Sequence, residues 1–295
     1  DFERINGGLR YRWMERLSAG RSPIINMKEC GRLGAVVVAH QVGFAADMAR
    51  VLEIAGTHGI PVIEDAACAA GSEIIMSPDG DAEMIGRPHG DFACFSFHPR
   101  KVITTGEGGM ITASDPEKTE QLRLLRHQGM SVPDLDRHRS KTLLFEEYPI
   151  TGYNYRMTDI QAAIGIEQMQ RLPGIVEERR RIGALYDGLL ESSEGIEVYR
   201  EARHSKTNRQ SYVALLDDAD EQFKVLEYLT ARGIGAKRGI MCAHLEPAYS
   251  TAWSPGSFPV SENAFRAGLT LPLYPGMAEE DVERVVREIR KALGK

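Results

Sequence analysis

The sequence predicts an α/β fold built on a mostly parallel sheet. Apolar runs at residues 35–39 and 60–63 flank residues 45–58, in which apolar side chains recur at helical spacing. A strand, a helix and a second strand in this order are typical of a βαβ unit, and such units form parallel sheets. The first run is apolar at every position, which predicts a strand buried on both faces. Beyond residue 195 the pattern changes to that of a smaller α+β unit.

Length and charge limit the class of protein. The 295 residues suggest two domains, at about 150 residues per domain. A net charge of −6 argues against a general nucleic-acid binder, which normally carries a basic surplus. No apolar run approaches the roughly 18 residues that cross a bilayer, and the N-terminus lacks the pattern of a signal peptide. We therefore expect neither a nucleic-acid partner nor a membrane partner. The chain does not begin with methionine, which suggests a processed or partial product.

Cysteine spacing and the common ligand-binding motifs exclude several kinds of site. The four cysteines are too scattered for a disulfide framework or a CxxC metal site, so a reducing cytoplasm is the predicted location. The glycine-rich turn at residues 106–111 lacks the third glycine of GxGxxG. The sequence contains no Walker A lysine, no HExxH and no GxSxG. We expect no metal site, and we give metal hydrolases, P-loop NTPases and serine hydrolases low weight.

The remaining elements follow from turn chemistry and apolar periodicity. Turn residues within 72–90 predict a short hairpin, and residues 92–97 predict another strand. A glycine-rich turn then leads into a strand at 110–112. Asp115 lies just ahead of a helical stretch at 117–126, where its side chain is suited to cap the helix. The polar residues 130–150 indicate an exposed loop.

The longest predicted helix spans residues 158–190, with an interruption at 172–174. It carries three arginines, 179–181, which we predict on a solvated face, and an apolar stripe formed by Ile160, Ala163, Ile164, Ile166 and Met169. Strands at 196–199 and 212–216 and helices near 219–231 and 278–292 follow. The predicted division is a large domain at 1–172, a connecting helix at 173–194 and a small α+β domain at 195–295.

Two residues at predicted strand ends point to chemistry. Asp65 and Lys101 each follow a strand, and ligands of open parallel sheets bind at the carboxyl ends of the strands. Pyridoxal phosphate needs such a pair: the lysine amine forms a Schiff base with it, and the carboxylate keeps its pyridine nitrogen protonated. Asp65 taken alone also fits a helix N-cap, and Lys101 taken alone fits a solvated surface lysine. Ser96 alone is an ordinary strand-end hydroxyl.

Four sequence blocks, in this order, resemble the DegT/DnrJ/EryC1/StrS family of sugar aminotransferases. They are VIEDAA at 62–67, GDFACFSFHPRK at 90–101, TTGEGGM at 104–110 and GYNYRMTDIQAA at 152–163. The resemblance runs from about residue 35 to the C-terminus and includes PLYPGM at 272–277. It implies a fold-type-I enzyme that depends on pyridoxal 5'-phosphate.

The resemblance also implies a role for each matching residue. Lys101 matches the Schiff-base lysine, and Asp65 matches the partner of the pyridinium nitrogen. Ser96 matches a hydroxyl that binds the cofactor phosphate. Asn154 matches an asparagine that reaches the phosphate of a neighbouring subunit, which implies a homodimer with shared active sites; a plain turn residue remains the alternative for Asn154.

The chain departs from the family pattern in three places, one of which is RHQG at 126–129, where the family's histidine is shifted by one position. Cys68 stands where the family usually has a glutamine near the cofactor ring, and a thiol cannot replace the hydrogen bonds of an amide. Family members also have a longer N-terminal part of the large domain, which supplies phosphate contacts at a helix N-terminus. Residues 1–33 are too short to hold it, so the large domain at 1–172 is expected to be partial.

The expected function is the conversion of a nucleotide-linked keto-sugar to an amino-sugar, with an amino acid, glutamate, as the nitrogen donor. Lysine rather than histidine at position 101 argues against the dehydratase branch of the family. Arg238 and His244 lie in a segment that approaches the substrate in relatives; Arg238 fits a diphosphate and equally fits a surface cation beside Lys237. The alternative is a truncated, non-catalytic remnant that acts as a dimer partner or regulatory subunit.

Overall fold

The computed structural model describes residues 33–132, 137, 140–249 and 254–295, so most of the predicted N-terminal segment lies outside the described residues. Within these ranges the strands are β1 (Val36–Ala39), β2 (Val62–Asp65), β3 (Glu73–Ile75), β4 (Ala82–Met84), β5 (Phe92–Ser96), β6 (Gly109–Thr112), β7 (Ile196–Val198), β8 (Ser205–Lys206), β9 (Tyr212–Leu216), β10 (Lys237–Arg238) and β11 (Gly268–Leu271). The helices are α1 (Met48–Thr57), α2 (Pro116–Arg126), α3 (Asp159–Glu191), α4 (Gln222–Thr230), α5 (Pro259–Ala267) and α6 (Glu279–Ala292).

The first sheet has the order β1-β2-β5-β6 and confirms the mostly parallel α/β fold. Strands β1, β2 and β5 are parallel, and β6 is antiparallel to β5. Helix α1 buries Met48 and Val51 on the face that packs against the sheet. It begins where the Asp47 carboxylate accepts the Arg50 N–H, and Gly59, at φ +60°, lets the chain turn into β2.

Strand β1 is not buried on both faces, which corrects the sequence-based expectation. Val37 is 67% exposed, and burial alternates along the strand. The reason is positional: β1 is the edge strand of the sheet in the described part of the chain, and only one of its faces packs against α1. An apolar run therefore does not by itself show that a strand is covered on both sides.

Two further sheets complete the fold. The C-terminal sheet has the antiparallel order β10-β11-β9-β7, and its core includes Tyr186, Tyr212 and Ile289, all fully buried. Helix α6 presents its apolar side to this core. The predicted hairpin within residues 72–90 is formed by β3 and β4, and β8 adds a third antiparallel strand to it. This small sheet joins two distant parts of the chain, because β8 lies more than 100 residues after β3.

Helix α3 is continuous, so the predicted interruption at 172–174 is wrong. Pro173 lies inside the helix, and both Pro173 and Met169 are exposed. Proline has no main-chain N–H, so the Met169 carbonyl lacks its usual hydrogen-bond donor in the helix. Because both residues are exposed, water can take the place of that donor. Helix α3 also crosses the boundary predicted at 172/173, and the predicted domain limits stay predictions.

The side chains of α3 differ from the expected pattern in two ways. Arg179 is buried rather than solvated. Its guanidinium donates to the Arg209 carbonyl at 2.9 Å and to the Gln210 carbonyl at 2.7 Å, which explains how a charged side chain is accommodated. The predicted apolar stripe is exposed in the described structure, with Ile160 at 76% and Ile166 at 60% exposure. Among the described residues, no helix is both long and apolar enough to cross a membrane.

A buried carboxylate holds the first sheet at its carboxyl edge. Glu64 is fully buried; it accepts the main-chain N–H groups of His89 and Gly90 at 2.6 and 2.7 Å. Its other oxygen lies 3.0 Å from His40 Nε2. Because His40 Nδ1 accepts the Ala46 N–H, its Nε2 must carry the hydrogen that is donated to Glu64. Burial alone would raise the pKa of Glu64, but His40, His89 and Gly90 outweigh it and lower the pKa to about 2.

We predict that Glu64→Gln lowers the free energy of unfolding by about 1–3 kcal/mol at pH 7, because the glutamine N–H groups would face the His40 N–H. The wild-type carboxylate contributes fully above its ordinary pKa of 4.5, and this contribution is lost as the pH falls toward 2. Urea unfolding at pH 7, 4 and 3 measures the difference between the two proteins, which should shrink with acid.

Glu197→Gln, a change of an exposed glutamate on β7, is the matched control and should leave the unfolding free energy nearly unchanged. Equal effects of the two substitutions would contradict the role of the buried carboxylate.

Candidate active site

Three of the predicted site residues lie at the carboxyl edge of the first sheet. Asp65 is the last residue of β2 and pairs in register with Cys94 of β5. Ser96 ends β5, and Lys101 lies in the turn that follows it. Because parallel strands end on the same edge, the sheet brings an acid, a hydroxyl and an amine to one side of the molecule.

The Asp65 carboxylate is exposed and accepts the Ala67 N–H at 3.0 Å. A turn, not a helix, follows it, so the alternative interpretation of Asp65 as a helix N-cap is wrong. The carboxylate charge also reaches the next strand. The pKa of the Cys94 thiol is raised, first by burial and then by the charge of Asp65. Because Asp65 is exposed, its carboxylate remains accessible at the edge of the sheet.

Lys101 contacts the turn after β2. Its Nζ lies 3.3 Å from Cys68 Sγ, and both side chains are partly buried. The Lys101 N–H donates to the His98 carbonyl at 3.0 Å, which closes the turn after β5. The Lys101 amine therefore contacts the turn after β2 and is not a freely solvated surface amine. Cys68, the residue that departs from the family pattern, is its direct neighbour.

Ser96 and Asn154 have different surroundings. The Ser96 hydroxyl is partly buried and accepts the His98 N–H at 3.3 Å. Asn154 is exposed and forms an isolated antiparallel bridge with His127, at the end of α2. The main-chain hydrogen bonds around Asn154 go to α2 and not to the turn that carries Lys101. The structure thus brings Asp65, Ser96, Cys68 and Lys101 to one edge and places Asn154 beside α2.

Arg238 and His244 lie in the C-terminal unit. Arg238 is exposed on β10, with its guanidinium 5.4 Å from the centre of the Phe265 ring. The side chain of His244 is 8% exposed, and both of its ring nitrogens have partners: Nε2 lies 2.9 Å from Glu262, and Nδ1 lies 3.3 Å from Cys242 Sγ. Arg238 is open to a ligand as the structure stands, whereas His244 would have to break an internal contact.

Glu262 fixes His244 in place. Its carboxylate also accepts the Gly256 N–H at 2.7 Å, and the His244 hydrogen bond is the main reason that the pKa of Glu262 is lowered. A cavity of about 380 Å³ opens beside this pair, lined by Cys242, His244 and Phe258 among others. His244 therefore forms part of the pocket wall, and Glu262 holds it in that position.

The sequence analysis missed one segment that lies against the candidate site. Residues 207–210, here called the bridging segment, approach both the turn of Cys68 and the turn of Lys101. Asn208 in this segment is fully buried, which is unusual for a polar side chain. The only sequence signal is the position of the segment just before β9, where polar residues are ordinary. No local pattern distinguishes such residues from a surface loop.

The donor set fits pyridoxal phosphate. Lys101 offers an amine to an aldehyde, the exposed Asp65 offers a carboxylate to a ring nitrogen, and Ser96 offers a hydroxyl to a phosphate. All three lie at the edge of a parallel sheet where ligands of this architecture bind. The contact between Cys68 and Lys101 shows that the turns after β2 and β5 are adjacent, as one cofactor spanning them requires. The fold and the site together define the class of pyridoxal-phosphate-dependent α/β enzymes.

Comparison with known proteins identifies the family. GDP-perosamine synthase of Caulobacter vibrioides is 34% identical over 267 residues, which cover 89% of this chain and 67% of that protein. The solved structure of the aminotransferase TlmJ from Streptoalloteichus hindustanus matches with a TM-score of 0.76 at 31% identity, covering 91% of this chain and 68% of that one. DesI, solved in the presence of its TDP-sugar product, matches with a TM-score of 0.73 at 26% identity, covering 94% and 64%.

The chain belongs to the DegT/DnrJ/EryC1/StrS aminotransferase family, and the sequence model of that family matches residues 25–290. By class it is a pyridoxal-phosphate-dependent sugar aminotransferase. The resemblance seen in the four sequence blocks is confirmed, and the match begins about ten residues earlier than those blocks indicated. The chain spans about two thirds of the length of the relatives named above.

We predict that pyridoxal phosphate protects Cys68 from alkylation, because a cofactor held at Lys101 would cover the neighbouring thiol. At a cofactor concentration ten times its dissociation constant, labelling by iodoacetamide should slow about tenfold. Peptide mapping of the labelled cysteines measures the rate at each position.

Cys242, buried in the C-terminal unit, serves as the internal control and should label at an unchanged rate. If Cys68 is labelled at the same rate with and without pyridoxal phosphate, the cofactor does not bind beside it.

Proposed function

We propose that this chain carries the active site of an aminotransferase that converts a nucleotide-linked keto-sugar to an amino-sugar, with glutamate as the amino donor. The observation that carries the proposal is the position of the Lys101 amine, packed against Cys68 at the edge that also presents Asp65. The relatives support the substrate class, because one is a GDP-perosamine synthase and another was solved with a TDP-sugar product.

Lys101 is the proposed proton carrier. When bound, pyridoxal phosphate supplies an aldehyde that accepts the amino group and a ring that accepts the electrons of the broken bond. Lys101 Nζ would take the proton from the α-carbon of the amino donor and pass it to the aldehyde-derived carbon of the cofactor, which keeps the amino group while the donor leaves as a 2-oxo acid. In the second half-reaction the same atom would take a proton from that carbon and deliver it to the keto carbon of the sugar, which becomes an amine-bearing carbon while the keto oxygen leaves as water. The two turns around Lys101 hold Nζ in place for both transfers.

Asp65 and Ser96 are the proposed holders of the cofactor. The Asp65 carboxylate holds the proton on the pyridine nitrogen, and its exposed face leaves room for that ring. The Ser96 hydroxyl, which already accepts the His98 N–H, can donate its own hydrogen to a phosphate oxygen. Cys68 packs beside the ring and gives it a soft, uncharged neighbour.

Arg238 is the proposed contact for the substrate diphosphate. Its guanidinium is exposed, and its fork of donors fits phosphate oxygens. His244 was the other candidate, and its contacts with Glu262 and Cys242 support a role in holding the pocket wall in preference to direct contact with the sugar.

A second copy of the chain is the proposed partner. Tyr153 and Tyr155, on either side of Asn154, are 54% and 74% exposed and stack with their ring centres 5.0 Å apart. Ile160 and Ile164 at the start of α3 are also exposed in the described structure. An apolar surface next to Asn154 supports a homodimer in which this asparagine reaches the neighbouring cofactor phosphate.

We predict that Lys101→Ala lowers turnover by at least about a thousandfold, because the proton carrier is lost. Borohydride reduction in the presence of pyridoxal phosphate should fix the cofactor on Lys101 in the wild-type chain and leave no adduct in the variant. Visible absorbance and peptide mapping measure the adduct.

Lys224→Ala changes an exposed lysine on α4 and should retain both turnover and the adduct. A wild-type chain that takes up no cofactor would instead favour the non-catalytic alternative for this chain.

We predict that Asp65→Asn lowers kcat by about a hundredfold or more, because an amide cannot hold the ring proton with a full negative charge. Steady-state kinetics with a saturating amino donor measure the effect. Asp79→Asn, at an exposed turn position, is the control and should leave kcat unchanged. A near-normal rate for the Asp65 variant would remove this carboxylate from the mechanism.

A further inference from the structure

The bridging segment connects the C-terminal unit to the candidate site by side-chain hydrogen bonds. Its residues lie more than 100 positions after Lys101 in the sequence. Each side-chain amide in the segment bonds to main-chain groups of the turns that carry Cys68 and Lys101. These contacts are separate from the residues assigned above to the cofactor and the substrate.

Gln210 holds the peptide groups on both sides of Lys101. Its Oε1 accepts the Val102 N–H at 3.0 Å, and its Nε2 donates to the Arg100 carbonyl at 2.8 Å. One side chain thus restrains the main chain immediately before and immediately after the reactive lysine. Rotation of either peptide group would break one of these bonds and move the Lys101 Cα.

Asn208 holds the turn that carries Cys68. Its Nδ2 donates to the carbonyls of Cys68 and Ala70 at 3.0 and 2.8 Å. Its Oδ1 accepts the main-chain N–H of Gln210 at 2.7 Å. The two amides are therefore linked to each other, and together they fix the two turns whose side chains meet at the contact between Cys68 and Lys101.

The bridging segment is itself held rigidly. The buried guanidinium of Arg179 on α3 donates to the carbonyls of Arg209 and Gln210. Gly43, at φ +96°, lies so close to Asn208 that a Cβ there would collide with the Asn208 amide oxygen. A support that is anchored from two sides can transmit position to the turns it contacts.

We propose that Gln210, assisted by Asn208, is the positioning residue that sets the orientation of Lys101 for proton transfer. This inference rests on the proposed function, which gives Lys101 its chemical role. A displacement of about 1 Å in a reacting group costs on the order of a hundredfold in rate. Gln210 touches neither the reacting atoms nor the cofactor in this scheme, and acts through the main chain of residues 100–102.

The test compares Gln210→Ala with two matched variants. Hydrogen–deuterium exchange of the cofactor-free chain measures the Val102 N–H, whose side-chain acceptor is Gln210. Exchange should be about tenfold faster in Gln210→Ala. Gln210→Glu keeps the acceptor for Val102 and loses the donor to Arg100, so exchange at Val102 should stay slow in this variant.

Gln222→Ala is the control for general destabilisation. Gln222 also bonds two carbonyls, those of Phe265 and Gly268, but within the C-terminal unit. This variant should leave exchange at Val102 and kcat unchanged. In Gln210→Ala, kcat should fall about tenfold or more, with a change in the KM for the sugar of less than about threefold.

Exchange at Val102 that is equally fast in the Gln210→Ala and Gln222→Ala variants, or unchanged in both, would overturn the positioning role. Failure of the proposed function has a different signature. In that case the wild-type chain forms no borohydride-stable adduct at Lys101, whereas the exchange experiment on the cofactor-free chain still reports on the restraint.

Discussion

The carboxyl edge of the first sheet depends on the buried charge of Glu64. This one side chain accepts hydrogen bonds from the end of β1 and from the turn before β5, while its own main chain belongs to β2. Removing a carboxylate from water is costly, and only the three converging donors compensate for it. The buried carboxylate also affects the candidate site, because Glu64 immediately precedes Asp65. Glu64 cannot move without leaving its buried charge unpaired, so it fixes the main chain at Asp65, the residue proposed to hold the ring nitrogen.

A second restraint comes from the bridging segment, in the later part of the chain. The bridging segment ties the turns of Cys68 and Lys101 to α3 and to the C-terminal sheet, across more than 100 residues of sequence. The site is therefore complete only when both halves of the described chain have folded against each other. Contacts of such long range slow folding, because the entropy of closing a long loop is lost before the contact compensates for it. The main chain on both sides of Lys101 is restrained by this assembly.

The parts of this fold that could be predicted from the sequence are those whose signal is local. The βαβ unit, the hairpin at 72–90 and the cap at Asp115 follow from apolar spacing and turn chemistry within a few residues. The exposure of Val37 was missed, because apolar spacing does not show whether another element covers a strand. The sequence blocks pointed to the residues at the sheet edge. They could not point to Gln210, since its partners are main-chain groups, which leave no pattern of residue types.

The chemistry of the sheet edge raises a question of selectivity, because Cys94 lies beside Asp65 in the neighbouring strand. A thiolate there would compete with the Lys101 amine for an aldehyde, since thiolates are strong nucleophiles. Burial, and after it the charge of Asp65, raise the pKa of the Cys94 thiol and so favour its neutral form. The same carboxylate that would hold the cofactor ring thus also disfavours the thiolate form of Cys94.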